Sequence, residues 1–339
     1  MKYKVAINGF GRIGRNAFKI ASTHEELEVV AINDLTEPST LAYLLKHDSN
    51  YGTYHGEVSY DETGIIVDGK HIKVLAEKDP TLLPWKDLAI DVVIESTGRF
   101  TTHEDMNKHI IAGAKRVVLS APEKGDGADH ETFVIGVNEA DITSNHTIIS
   151  NASCTTNNIT PVAVIIEELY GIEKAMMTTI HSYTASQMLQ DAPDKDLREG
   201  RNAAENIVPT KTGAATAAAM AFPALKGKFD GLSVRVPTPV VSMSDFTFLL
   251  SKDVTKEEVN AAMIKASLEP RFHGVLDTTD EPLVSSDFIG NPHSAIVDLS
   301  LTNVVAGNML KVVAWYDNEW GYSNRLVENV LNVAKTIVQ

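Results

Sequence analysis

The stretch Asn8-Gly9-Phe10-Gly11-Arg12-Ile13-Gly14 constrains this chain more than any other. It follows a short apolar run, Val5-Ala6-Ile7-Asn8, and opens a helix-patterned stretch from Arg12 to about Thr23. A second apolar run, Glu28–Asp34, ends on an acidic residue 20 positions after Gly14. G-x-G-x-x-G between a strand and a helix, with a carboxylate at that distance, is the fingerprint of dinucleotide binding. Gly9 permits the tight turn, Gly11 lets backbone approach a pyrophosphate, and Gly14 allows the helix to pack closely on the strand. The amides of Arg12 and Ile13 then belong to a helix N-terminus, which attracts phosphate charge. Asp34 can accept both ribose hydroxyls and repels the 2′-phosphate of NADP. A Rossmann-type domain is the architecture this dictates.

Further apolar runs at 91–96, 116–120 and 147–150 alternate with polar or helical stretches, so the first half is expected to form a parallel sheet covered on both faces. Beyond about residue 170 the pattern changes. The runs 232–236, 242–250, 295–302 and 309–317 are longer, and several alternate in and out, which suits a mainly antiparallel sheet with one covered face. The run 175–180 is a further strand, and helices are expected at 155–170, 213–220, 256–268 and 323–338. The chain thus reads as α/β, a Rossmann-type nucleotide domain plus an α+β catalytic domain. The boundary falls near Asn151: residues 1–151 form the first domain and 152–319 the second.

At 339 residues the chain is long enough for two domains. Its net charge of −15 disfavours nonspecific binding to nucleic acid or anionic membrane, which depends on neutralising phosphates. No apolar run reaches the ~18 residues of a membrane helix, and the N-terminus turns polar and Gly-rich before a signal-peptide core develops. A single cysteine excludes an internal disulfide and any multi-cysteine metal site, and fits a cytoplasmic setting.

That cysteine, Cys154, lies in Ser150-Asn151-Ala152-Ser153-Cys154-Thr155-Thr156-Asn157, between a strand and a helix. Amides and dipole at a helix N-terminus favour the thiolate, so a thiol below its ordinary pKa is expected. His181, at the end of a strand 27 residues on, is placed to act as its base. The residues alone leave a buried structural cysteine and a structural histidine open, and these are the commoner roles of each residue type.

In order along the chain stand INGFGRIGR, SNASCTTN, HSYT, DLR, PTKTGAA, RVPTP and WYDNEWGYSNR. Together, over essentially the whole length, they resemble the phosphorylating glyceraldehyde-3-phosphate dehydrogenases. The resemblance implies Cys154 as nucleophile and His181 as base, with a thiohemiacetal, a thioester and release by inorganic phosphate. It implies Thr184 and Arg235 for the substrate's phosphate, and Ser153, Thr155, Arg198, Thr212 and Gly213 for the attacking phosphate. Arg201 competes for the Arg198 role, and Thr212-Gly213 could instead cap the following helix. Asn318 matches the residue that bonds the nicotinamide carboxamide, and Lys78 and Ser120 match positions near the adenine and nicotinamide ends. NAD is the implied cofactor, with Leu35 and Pro193 in the NAD-using pattern and Ala192 departing from it. Segment 182–205 resembles a loop at the centre of a homotetramer, and a final helix, 320–339, would return to the nucleotide domain. Many relatives carry a second cysteine where this chain has Asn158, so the chain would lack a resolving thiol beside Cys154. The nearest rivals are an erythrose-4-phosphate dehydrogenase, an aspartate-semialdehyde dehydrogenase type of enzyme, and a binding protein with a vestigial site.

Overall fold

The structure is a computed structural model that describes residues 2–125 and 131–337. The chain forms two compact units. One comprises Met1–Phe133, Glu139–Ala152 and Ser323–Gln339; the other comprises Val134–Asn138 and Ser153–Tyr322.

The first unit opens with β1 (Tyr3–Asn8), α1 (Arg12–Ala21) and β2 (Leu27–Asn33). Then come α2 (Pro38–Lys46), the two-residue strands β3 (His47–Asp48) and β4 (Gly52–Thr53), β5 (Val58–Asp61), β6 (Gly64–Val67) and β7 (Lys70–Leu75). It continues through β8 (Val92–Glu95), α3 (His103–Ile111), β9 (Arg116–Leu119) and β10 (Ile148–Ser150). The main sheet runs β10-β9-β8-β1-β2-β7-β6-β5. Pairs from β10 through to β7 are parallel, but β7–β6 and β6–β5 are antiparallel, so the wholly parallel sheet expected from sequence is corrected at this edge. The cause is local. Asp68 and Gly69, between β6 and β7, both have positive φ (49° and 76°), the requirement of a two-residue primed turn. A parallel crossover would need a dozen or more residues. Chain order reverses at β1, whose neighbours are β2 and β8, with Asn8 in register with both Asn33 and Glu95. At such a switch point the carboxyl ends of the strands leave a crevice for a ligand.

The second unit holds α4 (Cys154–Tyr170), β11 (Ile172–Ser182), β12 (Val208–Thr210), α5 (Ala214–Ala221), β13 (Phe229–Val236), β14 (Ser242–Leu250) and α6 (Lys256–Ser267). After these come β15 (Leu276–Thr279), β16 (Ala295–Asp298), β17 (Asn303–Val305), β18 (Met309–Tyr316) and the start of α7 (Trp320–Lys335). Its sheet, β12-β13-β11-β14-β18-β16-β15 with β17 on β18, is mainly antiparallel; β11–β13 and β15–β16 are the parallel pairs. On β14 the residues Ser242, Ser244, Phe246, Phe248 and Leu250 are buried and those between are half-exposed, as its alternation predicts. The inner positions pack with Ile159, Val162 and Ile166 of α4, Ala215 and Ala218 of α5, and Val259 and Met263 of α6.

Two expectations need correction here. The run 295–302 is not one strand: the Asp298 carboxylate accepts from Ser300 N (3.1 Å), Ser300 Oγ (2.6 Å) and Trp315 Nε1 (3.2 Å), capping a 3-10 turn before β17 begins at Asn303. The last helix begins at Trp320, the start that the resemblance implies, not at the Ser323 of the hydrophobic pattern, and residues 338–339 lie outside the described ones. Among the described residues no helix is long and apolar enough to cross a membrane.

Candidate functional site

In the first unit the crevice at the ends of β1 and β2 is a cavity of about 430 Å³ whose lining includes Gly9, Gly11, Asp34, Lys78, Ser96 and Thr97. Gly9 has φ 93°, and a Cβ on it would stand 2.7 Å from Thr97 N. A Cβ on Gly14 would stand 2.1 Å from the Gly9 carbonyl oxygen, so α1 can lie this close to β1 only with glycine there. Gly11 differs: a Cβ there would meet nothing within 4 Å. As N-cap of α1 it brings no side-chain acceptor to the first-turn amides. A helix start without a side-chain cap, beside open space at Gly11, fits a pyrophosphate.

Asp34 follows β2 rather than ending it. Its Oδ2 accepts from Phe10 N (2.8 Å) and its Oδ1 from Thr36 N (3.0 Å), which ties it to the glycine loop. The Arg12 guanidinium bonds Asp48 at 2.8 Å, so Arg12, like Ile13, is left to contribute its amide. Ser120 follows β9 and is not part of the cavity lining, whereas Lys78 is.

A buried network missed from sequence lies at these strand ends. Trp85 Nε1 donates to His109 Nδ1 (3.0 Å), so His109 Nε2 carries the proton given to Glu95 Oε2 (3.0 Å). Asn8 Nδ2 donates to the same oxygen and Asn33 Nδ2 to Asn8 Oδ1 (2.7 Å). Only the adjacency of Asn8, Asn33 and Glu95 to strand ends could have signalled it.

In the second unit Cys154 is the first residue of α4. The chain enters that helix through Ala152 at φ 56°, a conformation costing about 1–2 kcal/mol for a residue with a side chain. Ser153 caps the helix, its Oγ accepting from Thr156 N at 3.0 Å. Pro161 sits two turns in, and the helix runs on unbroken to Tyr170.

Cys154 Sγ lies 3.4 Å from His181 Nε2, and His181 Nδ1 donates to the Ser182 carbonyl at 2.7 Å. A carbonyl only accepts, so the neutral ring carries its proton on Nδ1 and turns the Nε2 lone pair to the thiol. The ring edge meets Tyr316, whose hydroxyl is 3.0 Å from Thr155 Oγ1 and 2.8 Å from Thr179 Oγ1. The Thr155 hydroxyl is therefore engaged in the interior, leaving its amide as what it can offer an anion.

Burial disfavours each charge alone. It pushes the Cys154 thiol up, against the pull of the Arg235 guanidinium and of Thr155, so the lowered thiol expected from the helix terminus is not met. It pushes His181 down to about 3, with Arg235 adding to the effect. Moving the proton from Sγ to Nε2 makes both charges together and adds no net charge, so the two groups titrate as a pair.

A stability consequence follows for His181. Its folded-state pKa lies below its ordinary 6.5, so the unfolded chain binds the proton first. Its contribution is full above about pH 6.5 and is lost towards pH 3, at up to ~1.4 kcal/mol per pH unit. Between pH 7 and pH 5, His181→Asn is expected to lose up to about 2 kcal/mol less unfolding free energy than the native chain, as read from urea midpoints.

Arg235 is in register with His181 on the neighbouring strand, and its Nη1 donates to Ser182 O at 3.4 Å. Its Nε is buried without a partner, and among the described residues no carboxylate pairs with it. Thr184 Oγ1 bonds Ser186 Oγ at 2.9 Å. Arg198 and Thr212, with Lys195 and Lys211, line an open cavity of about 770 Å³ whose lining does not include Thr184 or Arg235. The Arg198 amide donates to Asp196 Oδ1, while its competitor Arg201 forms an ion pair with Asp191 at 3.0 Å. Gly213 is the N-cap of α5, and Thr212 Oγ1 accepts from Ala214 N at 3.2 Å, so Thr212 does serve the helix start. Asn158 is buried, and its Nδ2 donates to the Ser294 carbonyl (3.1 Å), as an amide that fills its site would. Asn318 Oδ1 accepts from Ser182 Oγ and Ser242 Oγ.

A half-buried nucleophile with an oriented base can form and release a covalent acyl intermediate, and guanidinium groups that no described carboxylate pairs suit phosphate. Comparison with known proteins agrees in kind. Residues 3–103 match the family model "Glyceraldehyde 3-phosphate dehydrogenase, NAD binding domain", and 153–318 match "Glyceraldehyde 3-phosphate dehydrogenase, C-terminal domain". The chain is 53% identical over 326 residues to "Glyceraldehyde-3-phosphate dehydrogenase 1" of Bacillus cereus, covering 96% of each chain. It is 51% identical over 335 residues to the glyceraldehyde-3-phosphate dehydrogenase of Geobacillus stearothermophilus, covering 98% of this chain and 99% of that one. With both halves matched and half of all positions identical, the chain belongs to the glyceraldehyde-3-phosphate dehydrogenase family.

Proposed function

We propose that the chain oxidises D-glyceraldehyde 3-phosphate and phosphorylates the product to 1,3-bisphosphoglycerate, with reduction of NAD. The observation that carries this reading is the 3.4 Å contact of Cys154 Sγ with a His181 ring anchored through Nδ1, beside the Arg235 guanidinium, whose buried Nε has no partner and which no described carboxylate pairs. His181 Nε2 takes the thiol proton as Sγ adds to the aldehyde carbon. The Cys154 amide and the protonated ring stabilise the oxyanion, and the ring returns the proton to give a thiohemiacetal. NAD, when bound, supplies the acceptor for the hydride that the thiohemiacetal carbon gives up. His181 takes the hydroxyl proton in that conversion, and the acyl group stays on Sγ as a thioester. An oxygen of inorganic phosphate then attacks the acyl carbon, the C–S bond breaks, and His181 returns its proton to the leaving sulfur, restoring Cys154 and the neutral ring.

In this reading Thr184 and Arg235 hold the substrate's phosphate. Ser153, Arg198, Thr212, Gly213 and the Thr155 amide receive inorganic phosphate. Gly9, Gly11, Gly14, Asp34, Lys78 and the Arg12 and Ile13 amides hold NAD, with Ser120 and Asn318 at its nicotinamide end. The domains are 1–151, completed by the helix after residue 320, and 152–319. A homotetramer in the cytoplasm completes the proposal. Its support is an unusual exposure of apolar groups on the second unit: Met176 and Leu232 on strands, and Leu189, Leu197 and Ile207 between β11 and β12. Sedimentation equilibrium is expected to return four chains per particle.

The test is a side-by-side assay of NADH formation. Glyceraldehyde 3-phosphate should be oxidised faster than erythrose 4-phosphate, and turnover should require inorganic phosphate. Faster erythrose 4-phosphate oxidation, or phosphate-independent turnover, would overturn the reading. For the cofactor, a 2′-phosphate near the Asp34 carboxylate meets about 1 kcal/mol of repulsion per charge at 4 Å in water. NAD is therefore expected to exceed NADP in catalytic efficiency by roughly 10–30-fold, and Asp34→Ala to shrink that ratio.

A further inference from the structure

Asn318 is nearly buried, and its amide is held at one end only. Ser182 Oγ donates to Oδ1 at 2.9 Å and Ser242 Oγ at 3.0 Å. Ser242 Oγ meanwhile accepts from Ser182 N at 3.1 Å, so its one proton is free for Asn318. Both serines are buried. Were the amide turned over, each buried hydroxyl proton would face an N–H₂ group and lose its acceptor. The pair of hydroxyls therefore selects one orientation, and Nδ2 makes no hydrogen bond to any described residue. The backbone bears a matching sign of constraint. Val241, directly before Ser242, has φ 72°, a left-handed conformation rare for a β-branched side chain, which persists only where the surroundings over-determine it.

Ser182 also accepts from His181 Nδ1 through its carbonyl, at 2.7 Å. One residue thus anchors the ring of the base and the amide of Asn318. We propose that Ser182 and Ser242 are positioning residues that lock the Asn318 amide with Nδ2 as the outward donor, so that it recognises a ligand carbonyl oxygen. The inference rests on the reading above that Asn318 meets the nicotinamide carboxamide, and it adds what makes that contact one-sided. An unlocked amide could present either end and would recognise the carboxamide less well.

The test measures binding, not turnover. NAD and ADP-ribose, which lacks the nicotinamide, are titrated calorimetrically into the native chain, into the double variant Ser182→Ala/Ser242→Ala, and into Asn318→Asp. ADP-ribose affinity should stay constant throughout. In the double variant NAD affinity should fall by about 3–10-fold, the worth of one hydrogen bond. In Asn318→Asp, whose carboxylate still accepts from both serines but cannot donate, the NAD to ADP-ribose ratio should fall at least as far. A collapsed ratio in Asn318→Asp with an unchanged ratio in the double variant would overturn the role of the serines alone. An unchanged ratio in Asn318→Asp would overturn the reading of Asn318 itself. Equal loss of both ligands in the double variant would make the serines merely structural and would also defeat the proposal.

Discussion

Cys154→Ala is expected to abolish NADH formation, and His181→Asn to lower kcat/KM by about 10²–10⁴. The two losses have different origins. Without Sγ no carbon–sulfur bond forms, so thiohemiacetal and thioester are both absent. Without the ring, Sγ remains but nothing at 3.4 Å takes its proton, and the second proton, from the hemiacetal hydroxyl, also lacks an acceptor. A fall of 10²–10⁴ corresponds to about 3–5 kcal/mol of barrier, within the range of a positioned general base. Because the residues act as a unit, the double variant should be no worse than Cys154→Ala. Iodoacetamide supplies a readout independent of substrate: alkylation of Cys154 should be slower in His181→Asn across neutral pH. Residual oxidation in Cys154→Ala at more than about a hundredth of the native rate, below the scale of the smallest expected loss, would remove the covalent route.

The site was legible where its requirements are local and illegible where they are long-range. Gly9, Gly11 and Gly14 could be read because turn, open space and close packing each leave a trace in the residue type at one position. Cys154 could be placed at a helix start because the apolar run 147–150 ends just before it and the helical pattern begins just after it; Ser153 is the cap in space. The hairpin over 64–75 left a signal too, Asp68-Gly69, which the strand-helix alternation around it obscured. By contrast, Ser182 and Ser242 meet Asn318 across 136 and 76 residues, and Tyr316 meets Thr155 across 161. No local pattern encodes such contacts, so nothing around Thr155 in the sequence shows that its hydroxyl meets Tyr316 inside the unit. The thiol was misjudged for a similar reason: the helix terminus is visible in sequence, whereas the burial that outweighs it depends on the packed second unit. Arg198 and Arg201 could not be ranked until the ion pair with Asp191 engaged the latter.

The glycines supply the second large effect, because the structure separates their roles. Gly14→Ala would place Cβ 2.1 Å from the Gly9 carbonyl oxygen and 3.2 Å from Ile7 Cγ2. The first contact is backbone on backbone, so no side-chain rotation relieves it and α1 must move away from β1. Overpacking of this kind costs roughly 3 kcal/mol. The melting temperature of the ligand-free chain should fall by about 6–12 °C, at 2–4 °C per kcal/mol for domains of this size. Gly11→Ala adds the same methyl where nothing lies within 4 Å, at the N-cap of α1 and on the cavity lining. Its own stability cost is that of a poorer N-cap, under about 1 kcal/mol. The methyl does, however, stand where a pyrophosphate must approach the first-turn amides. Charge-assisted hydrogen bonds there are worth about 1.5–3 kcal/mol, so NAD affinity should fall roughly 10- to 100-fold. The contrast is the discriminating feature: one alanine lowers the melting temperature of the first unit, while the other leaves its stability nearly intact and weakens its hold on the cofactor. Melting curves without NAD and calorimetric titrations with it measure both sides. Native-like NAD affinity in a well-folded Gly11→Ala chain would show that the phosphates do not approach α1 at Gly11.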